Sequence, residues 1–104
     1  MDREKINMLG MEIVAYAGEA RTKLLNAIKE AQKGNKEKSD SLIKESKDSL
    51  NKAHDVHREL LTSEARGEFG EMGLIMIHGQ DHLMTTILLS DVVEHLCNIY
   101  HEKR

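Results

Sequence analysis

The absence of proline is the feature that most restricts the fold of this 104-residue chain. Average usage would give about five prolines in a chain of this length. Proline is costly inside a helix because it lacks an amide N–H and its ring clashes with the preceding turn. The sequence also contains six methionines and three aromatic residues. Together these features predict an all-α fold, and the length predicts one domain that spans residues 1–104.

Three helical segments are indicated by apolar residues that recur at steps of three and four. We predict helices over residues 2–33, 36–65 and 74–102. In the first connection, Gly34 can adopt the left-handed conformation that ends a helix, and Asn35 can cap the next helix. The second connection is predicted to be flexible because it contains Gly67, Gly70 and Gly73. Short connections place sequential helices antiparallel, so we expect an antiparallel three-helix bundle.

Two further glycines, Gly10 and Gly18, lie inside the first predicted helix. A glycine in the interior of a helix costs about 1 kcal/mol relative to alanine. We therefore expect a bend or a close contact between helices at these positions, and not a ligand site.

The charge balance argues against a general nucleic-acid binder. The chain has 15 Lys and Arg against 18 Asp and Glu, which gives a net charge of −3. It has no basic stripe interleaved with aromatic residues, so neither phosphates nor stacked bases would find a binding surface.

A cytoplasmic location is expected. Cys97 is the single cysteine, so no disulfide can form within one chain, and small secreted domains usually depend on disulfides. We expect Cys97 to be a small buried hydrophobe. The first five residues are too charged for a signal peptide. No apolar run reaches the roughly 18 residues that a membrane span requires, so we expect no insertion into the membrane.

The third predicted helix has an apolar surface that is too wide for a monomer. No Lys or Arg occurs between Gly67 and Glu102. This segment instead carries a nearly continuous series of apolar residues: Leu83, Met84, Ile87, Leu88, Leu89, Val92, Val93, Leu96, Ile99 and Tyr100. Helices that are apolar almost all round are buried ones. We therefore expect the third helix to form the centre of a homo-oligomer.

Three titratable residues cluster near the start of the third predicted helix. His78, Asp81 and His82 lie on one side of a helix with 3.6 residues per turn. Gly79 would leave space around the His78 imidazole. From the residues alone, three interpretations stay open: a polar seam of structural histidines, a zinc site with Asp81 as third ligand, and nucleophilic catalysis by histidine. The HExxH zinc pattern is absent.

The other four histidines are expected to have no chemical role. His54 and His57 lie three residues apart on the charged second helix, where such residues face solvent or pack at an interface. His95 and His101 belong to the polar edge of the third helix, and we expect both at the surface.

Two segments of the chain resemble one family. They read LGMEIVAYAGEAR over residues 9–21 and MIHGQDHLMTTILL over residues 76–89. They are similar to the IIA component of the lactose/cellobiose class of the bacterial phosphoenolpyruvate-dependent sugar phosphotransferase system, with a leaning towards lactose-type members. The resemblance extends over essentially the whole chain. One departure is Met11, where relatives often have an aromatic residue, and we interpret it as a packing difference.

The resemblance implies a homotrimer that forms a nine-helix bundle. It implies that His78 accepts a phosphoryl group at Nε2 from the phosphocarrier protein HPr and passes it to a cysteine of the IIB component. It also implies that Gln80 and His82 are supporting neighbours, and that three copies of Asp81 meet around one Mg²⁺ on the trimer axis. Two alternatives are a non-catalytic assembly that holds zinc through His78, Asp81 and His82, and a regulatory adaptor.

Overall fold

The computed structural model describes residues 1–103 and contains three long helices. Helix α1 spans Arg3–Gln32, α2 spans Lys36–Ala65 and α3 spans Leu74–Glu102. No strand occurs in this part of the chain. The all-α prediction is therefore confirmed, and the predicted helix limits agree with the structure to within one residue.

Helix α1 lies between the other two helices. It packs along both α2 and α3, whereas α2 and α3 meet at only a few positions. Because each connection reverses the chain direction, α1 and α3 run parallel to each other and antiparallel to α2. The molecule is elongated, with principal extents of 52 × 19 × 16 Å. This arrangement leaves one face of α3 uncovered within a single chain.

Two clusters of buried residues hold the helices together. The cluster towards the start of α3 consists of Ile6, Leu9, Ile13, Ala20, Leu50, Ala53, Leu60, Met76 and Leu83, and the second of Leu24, Ala27, Ala31, Val93 and Cys97. Full burial of a Leu or Ile side chain contributes about 1.5–3 kcal/mol. Cys97 is buried, as predicted, and the Ser39 hydroxyl beside it donates to the Ala27 carbonyl at 2.9 Å.

The connection between α1 and α2 differs from the prediction in one respect. Gly34 has a φ of 85°, which confirms the predicted left-handed conformation. Asn35 is the N-cap residue of α2, as predicted, but its side chain makes no capping hydrogen bond. Its Nδ2 instead donates to Oε1 of Glu30 at 2.8 Å. Asn35 therefore closes the turn back onto α1.

Glu30 is a buried carboxylate with several polar partners. The Asn35 hydrogen bond lowers the pKa of Glu30, burial opposes this effect, and the positive charges of Lys33 and Lys38 lower it further. Both lysine ammonium groups lie within 4 Å of Glu30 Oε2, at 3.6 and 3.8 Å. The ionised form of Glu30 therefore stabilises the turn between α1 and α2.

Two glycines bring α1 and α3 into close contact. A Cβ added to Gly79 would lie 2.7 Å from the Gly10 carbonyl oxygen, and a Cβ added to Gly10 would lie 3.1 Å from Met76 Cα. The predicted close contact at Gly10 is therefore confirmed. The sequence predicted that Gly79 leaves space around the His78 imidazole. In the structure, the absence of a side chain at Gly79 instead allows the close contact with α1. At Gly18 the prediction of a close contact is wrong within this chain, since an added Cβ would meet nothing within 4 Å.

A stripe of exposed apolar side chains runs along α3 from near its start to its end. Its members recur at steps of three, four or seven residues, and their exposure ranges from 38% for Leu96 to 64% for Leu88. We call this the α3 stripe: Ile77, Met84, Leu88, Val92, Leu96 and Ile99. A monomer would leave this surface in contact with water, so the stripe favours the predicted self-association.

Within residues 1–103, none of the three helices combines the length and the apolar character that a membrane crossing requires.

Candidate functional site

His78 and His82 form a hydrogen-bonded pair on the second and third turns of α3. Their Nε2 atoms lie 3.1 Å apart, and their rings are nearly perpendicular, at 88° with centroids 4.3 Å apart. The four-residue spacing places both side chains on one face of the helix, as the sequence predicts. His78 is exposed and His82 is half-buried. A partner molecule can therefore reach His78, while His82 is held behind it.

The surroundings of His82 favour its neutral form. Burial lowers the pKa of His82, and its electrostatic interactions with His78 and Arg21 lower it further, while the Asp81 carboxylate opposes this shift. Nδ1 of His82 is buried and has no hydrogen-bond partner within residues 1–103.

The unpartnered Nδ1 atom indicates where the proton of His82 resides. A neutral imidazole has one N–H donor and one acceptor nitrogen. A proton on Nδ1 would be a buried donor without an acceptor, which is costly. The proton therefore belongs on Nε2 of His82, which donates to Nε2 of His78. In that arrangement Nε2 of His78 is the hydrogen-bond acceptor and keeps its lone pair.

Arg21 of α1 reaches the same face of α3. Its Nη2 donates to Oγ1 of Thr85 at 3.0 Å, and this hydroxyl donates to the Asp81 carbonyl at 2.8 Å. Arg21 is half-buried. The sequence interpretation gave Arg21 no role, because nothing in the spacing along α1 says which residue of α3 it meets.

Gln80 lies on a different face of α3 from His78, because residues two apart in a helix do not face each other. Its Oε1 lies 2.7 Å from Nε2 of His57 on α2. A carboxamide oxygen can only accept, so His57 Nε2 carries the proton. The structure thus brings His78 and His82 together, but it does not bring Gln80 to His78 within one chain.

His57 is a residue of this region that sequence reasoning missed. It is half-buried and tied to α3, whereas His54 is exposed. One weak signal exists in the sequence. In an antiparallel pair, residues at similar distances from the connection lie side by side, and this places position 57 opposite positions near 80.

Asp81 is exposed and lies in line with the α3 stripe, between Ile77 and Met84. Its carboxylate forms no hydrogen bond or ion pair with the described residues, 1–103. No group of three or more His, Cys, Asp or Glu side chains in that range could hold a metal ion. A single chain therefore offers neither the zinc site of the alternative interpretation nor a complete magnesium site.

An open apolar groove between α1 and α3 adjoins His78. It is lined by Met11, Val14, Ala15, Leu74, Ile75 and His78. The close contact at Gly10 and Gly79 fixes the separation of α1 and α3 at this level. The histidine is thus presented at the edge of an apolar surface on which another protein can pack.

The two remaining histidines differ in position. His95 is exposed, as predicted. The prediction that His101 is a surface residue is wrong, because its side chain is 9% exposed and its Nε2 is buried, 3.7 Å from Oδ1 of Asp40. The last turn of α3 packs against the first turns of α2, and the sequence pattern of α3 alone could not show this.

Comparison with known proteins identifies similar chains over nearly the whole length. Residues 8–101 match the family model described as "PTS system, Lactose/Cellobiose specific IIA subunit". The chain is 51% identical over 100 residues to the lactose-specific EIIA component of the PTS system from Lactococcus lactis subsp. lactis. That match covers 96% of this chain and 95% of the relative.

Solved structures of similar proteins share the helical arrangement. The cellobiose-specific enzyme IIA of the PTS from Bacillus anthracis superposes with a TM-score of 0.91 at 29% identity, covering 98% of this chain and 92% of that one. A IIA(Chitobiose) chain, solved in complex with HPr, superposes with a TM-score of 0.81 at 25% identity, covering 93% of this chain and 94% of that one.

Proposed function

The chain belongs to the lactose/cellobiose-specific IIA family of the sugar phosphotransferase system, and from this membership we propose that it carries a phosphoryl group on His78. The supporting observation is the exposed His78 imidazole, whose Nε2 lies 3.1 Å from Nε2 of His82. A neutral imidazole that is oriented by a neighbour and open to a partner is a competent nucleophile.

The proposed transfer has two steps. A P–N bond forms at His78 as the bond between the phosphoryl group and HPr breaks. The group then moves to a cysteine thiolate of the IIB component, where an S–P bond forms as the P–N bond at His78 breaks and His78 Nε2 regains its lone pair. HPr is the proposed donor because a relative with this fold was solved in complex with HPr. The apolar groove beside His78 suits alternating contacts with two protein partners.

His82 is the proposed supporting donor. Before transfer, its Nε2–H donates to the lone pair of His78 Nε2. Once that lone pair bonds phosphorus, the same N–H can donate to a phosphoryl oxygen. A charged acceptor makes this hydrogen bond stronger than the one it replaces. Nε2 of His78 is therefore the proposed phosphoryl-bearing atom.

Gln80 is retained as a supporting residue with an indirect role. Its hydrogen bond to His57 ties α2 to the turn of α3 that carries His78. Because α2 and α3 meet at few other positions, this bond restrains α3 close to the nucleophile.

We propose that three chains assemble with the α3 stripe at the centre, giving a nine-helix bundle. The stripe is a row of six exposed apolar side chains along one helix. Asp81 lies in line with the stripe, so three copies would converge near the axis, where like charges repel. Mg²⁺ prefers carboxylate oxygens and water, so three exposed and unpaired Asp81 carboxylates fit one Mg²⁺ per trimer. The ion would supply charge neutralisation.

The biological setting follows from the same proposal. The partners, HPr and a IIB component, place the chain in the cytoplasm. The transported sugars are of the lactose type, because the relative that is 51% identical is a lactose-specific component.

An intact-mass assay tests the proposed function. The protein is incubated with phosphoenolpyruvate, enzyme I and HPr, beside the variants His78→Ala and His95→Ala. His95 is the matched control because it is an exposed histidine on the same helix. We expect the wild type and His95→Ala to gain one acid-labile phosphoryl group, and His78→Ala to gain none.

Three outcomes would contradict the proposal. A gain that persists in His78→Ala would show that another residue is the acceptor. No gain by the wild type, with HPr shown to be phosphorylated, would favour a regulatory adaptor. Zinc that stays bound through dialysis, together with no gain, would favour the metal-holding assembly.

A further inference from the structure

We propose that Arg21 is the charge-compensating residue for the phosphoryl group on His78, an inference that rests on the proposed function. A phosphoryl group brings close to two negative charges to the site at neutral pH. The face of α3 that receives it has no cation of its own, since no Lys or Arg occurs between Gly67 and Glu102. A positive charge near this face must therefore come from another helix.

Arg21 is the cationic side chain that α1 directs onto this face. Its Nη2 donates to Thr85 Oγ1 at 3.0 Å, and Thr85 is one turn beyond His82. The Thr85 hydroxyl is itself bonded to the Asp81 carbonyl at 2.8 Å and the His82 carbonyl at 3.3 Å. The guanidinium is thus fixed to the helical segment that bears the histidine pair.

Arg21 has no acidic partner that would cancel its charge. Within residues 1–103 no Asp or Glu side chain forms an ion pair with it, although it is half-buried. The neighbouring Lys23 differs, because its ammonium lies 3.2 Å from Glu19 and 3.9 Å from Glu45. A half-buried guanidinium without a counter-ion is arranged for an anion that arrives during the functional cycle.

The distance between Arg21 and the phosphoryl group determines how strongly Arg21 affects phosphorylation. Thr85 lies seven residues after His78, which is about 10 Å along the helix axis. We therefore expect Arg21 to act on the phosphoryl group mainly through its electric field. This distance is close to the Debye length of about 10 Å at 0.1 M ionic strength. An effect of Arg21 on phosphorylation must accordingly weaken as salt is added.

The test is the equilibrium of phosphoryl exchange between phosphorylated HPr and this protein, measured at low salt and at about 0.5 M salt. Arg21→Gln removes the charge but keeps a donor for Thr85. We expect it to lower the equilibrium constant about three- to tenfold at low salt, with a smaller difference at high salt. Arg21→Lys keeps the charge and should stay within about twofold of the wild type.

Thr85→Val is the matched control, because it removes the hydrogen bond and leaves the Arg21 charge. We expect it to lower the equilibrium constant less than Arg21→Gln does, because the guanidinium is no longer fixed by Thr85 but its charge stays near this face. A Thr85→Val loss as large as that of Arg21→Gln would overturn the inference, because the bond and not the charge would then matter. An Arg21→Gln variant with the wild-type equilibrium would also overturn it, while the carrier function would stand. No transfer to the wild type would overturn both proposals together.

Discussion

Adding one methyl group at Gly79 should separate α1 from α3. The added Cβ would lie 2.7 Å from the Gly10 carbonyl oxygen and 3.4 Å from Gly10 Cα. Both are backbone atoms, so the clash cannot be relieved by rotating a side chain. Overpacking of this kind costs about 1–3 kcal/mol. The higher helix propensity of alanine offsets about 1 kcal/mol of this cost.

We therefore expect Gly79→Ala to lower the free energy of unfolding by up to about 2 kcal/mol. Gly18→Ala is the matched control, because Gly18 also lies inside a helix but an added Cβ would meet nothing within 4 Å. It should stabilise the protein by about 1 kcal/mol. Both changes are measured by urea unfolding at one protein concentration, since assembly makes the apparent stability depend on concentration.

The opposite signs of the two variants are the informative result. A Gly79→Ala protein that is more stable than the wild type would refute the close contact between α1 and α3. A Gly18→Ala protein that is less stable, with a smaller oligomer, would show that a second chain packs against Gly18. Because Gly79 is next to His78, the clash should also slow phosphoryl transfer from HPr in the Gly79→Ala protein.

Three further changes probe the turn and the assembly. Glu30→Gln should lower the free energy of unfolding at pH 7, measured by urea unfolding, and the difference from wild type should vanish in acid. The reason is that the pKa of Glu30 is lower in the folded protein than in the unfolded chain. The ionised carboxylate therefore adds stability above about pH 4.3, and this stability is lost as the pH falls through the pKa of the folded state. Equal destabilisation at pH 7 and pH 3 would contradict this. Asp81→Leu should keep or raise trimer stability in sedimentation, because it removes three converging carboxylates; a trimer that falls apart would show that metal bridging dominates. Leu88→Lys places a charge in the middle of the α3 stripe and should give monomers by sedimentation, whereas an intact trimer would place the subunit contact elsewhere.

The helices could be predicted because their limits depend on local signals. Gly34 ends α1 through its own backbone conformation, and apolar spacing fixes which residues of each helix face the core. The sequence also indicated that α3 carries more apolar residues than two partner helices in one chain can bury. Each of these properties belongs to one segment and its neighbours in sequence.

Contacts between helices could not be predicted in the same way. The Arg21–Thr85 and His57–Gln80 hydrogen bonds depend on how two helices are shifted and rotated against each other. Successive side chains on a helix point about 100° apart. A shift of one helix by one residue would therefore bring a different side chain to the contact and break the hydrogen bond. The spacing of His78 and His82 lies within one helix, and for that reason the sequence could place this pair correctly.

The most direct test of the account is to identify the ring nitrogen that carries the phosphoryl group. The protein is labelled with ¹⁵N, phosphorylated through HPr, and studied by long-range ¹H–¹⁵N and ³¹P–¹⁵N NMR correlations before and after transfer. We predict a P–N coupling at Nε2 of His78, with His82 neutral and protonated at Nε2 before transfer. Phosphorus on another histidine, or on Nδ1 of His78, would contradict the account.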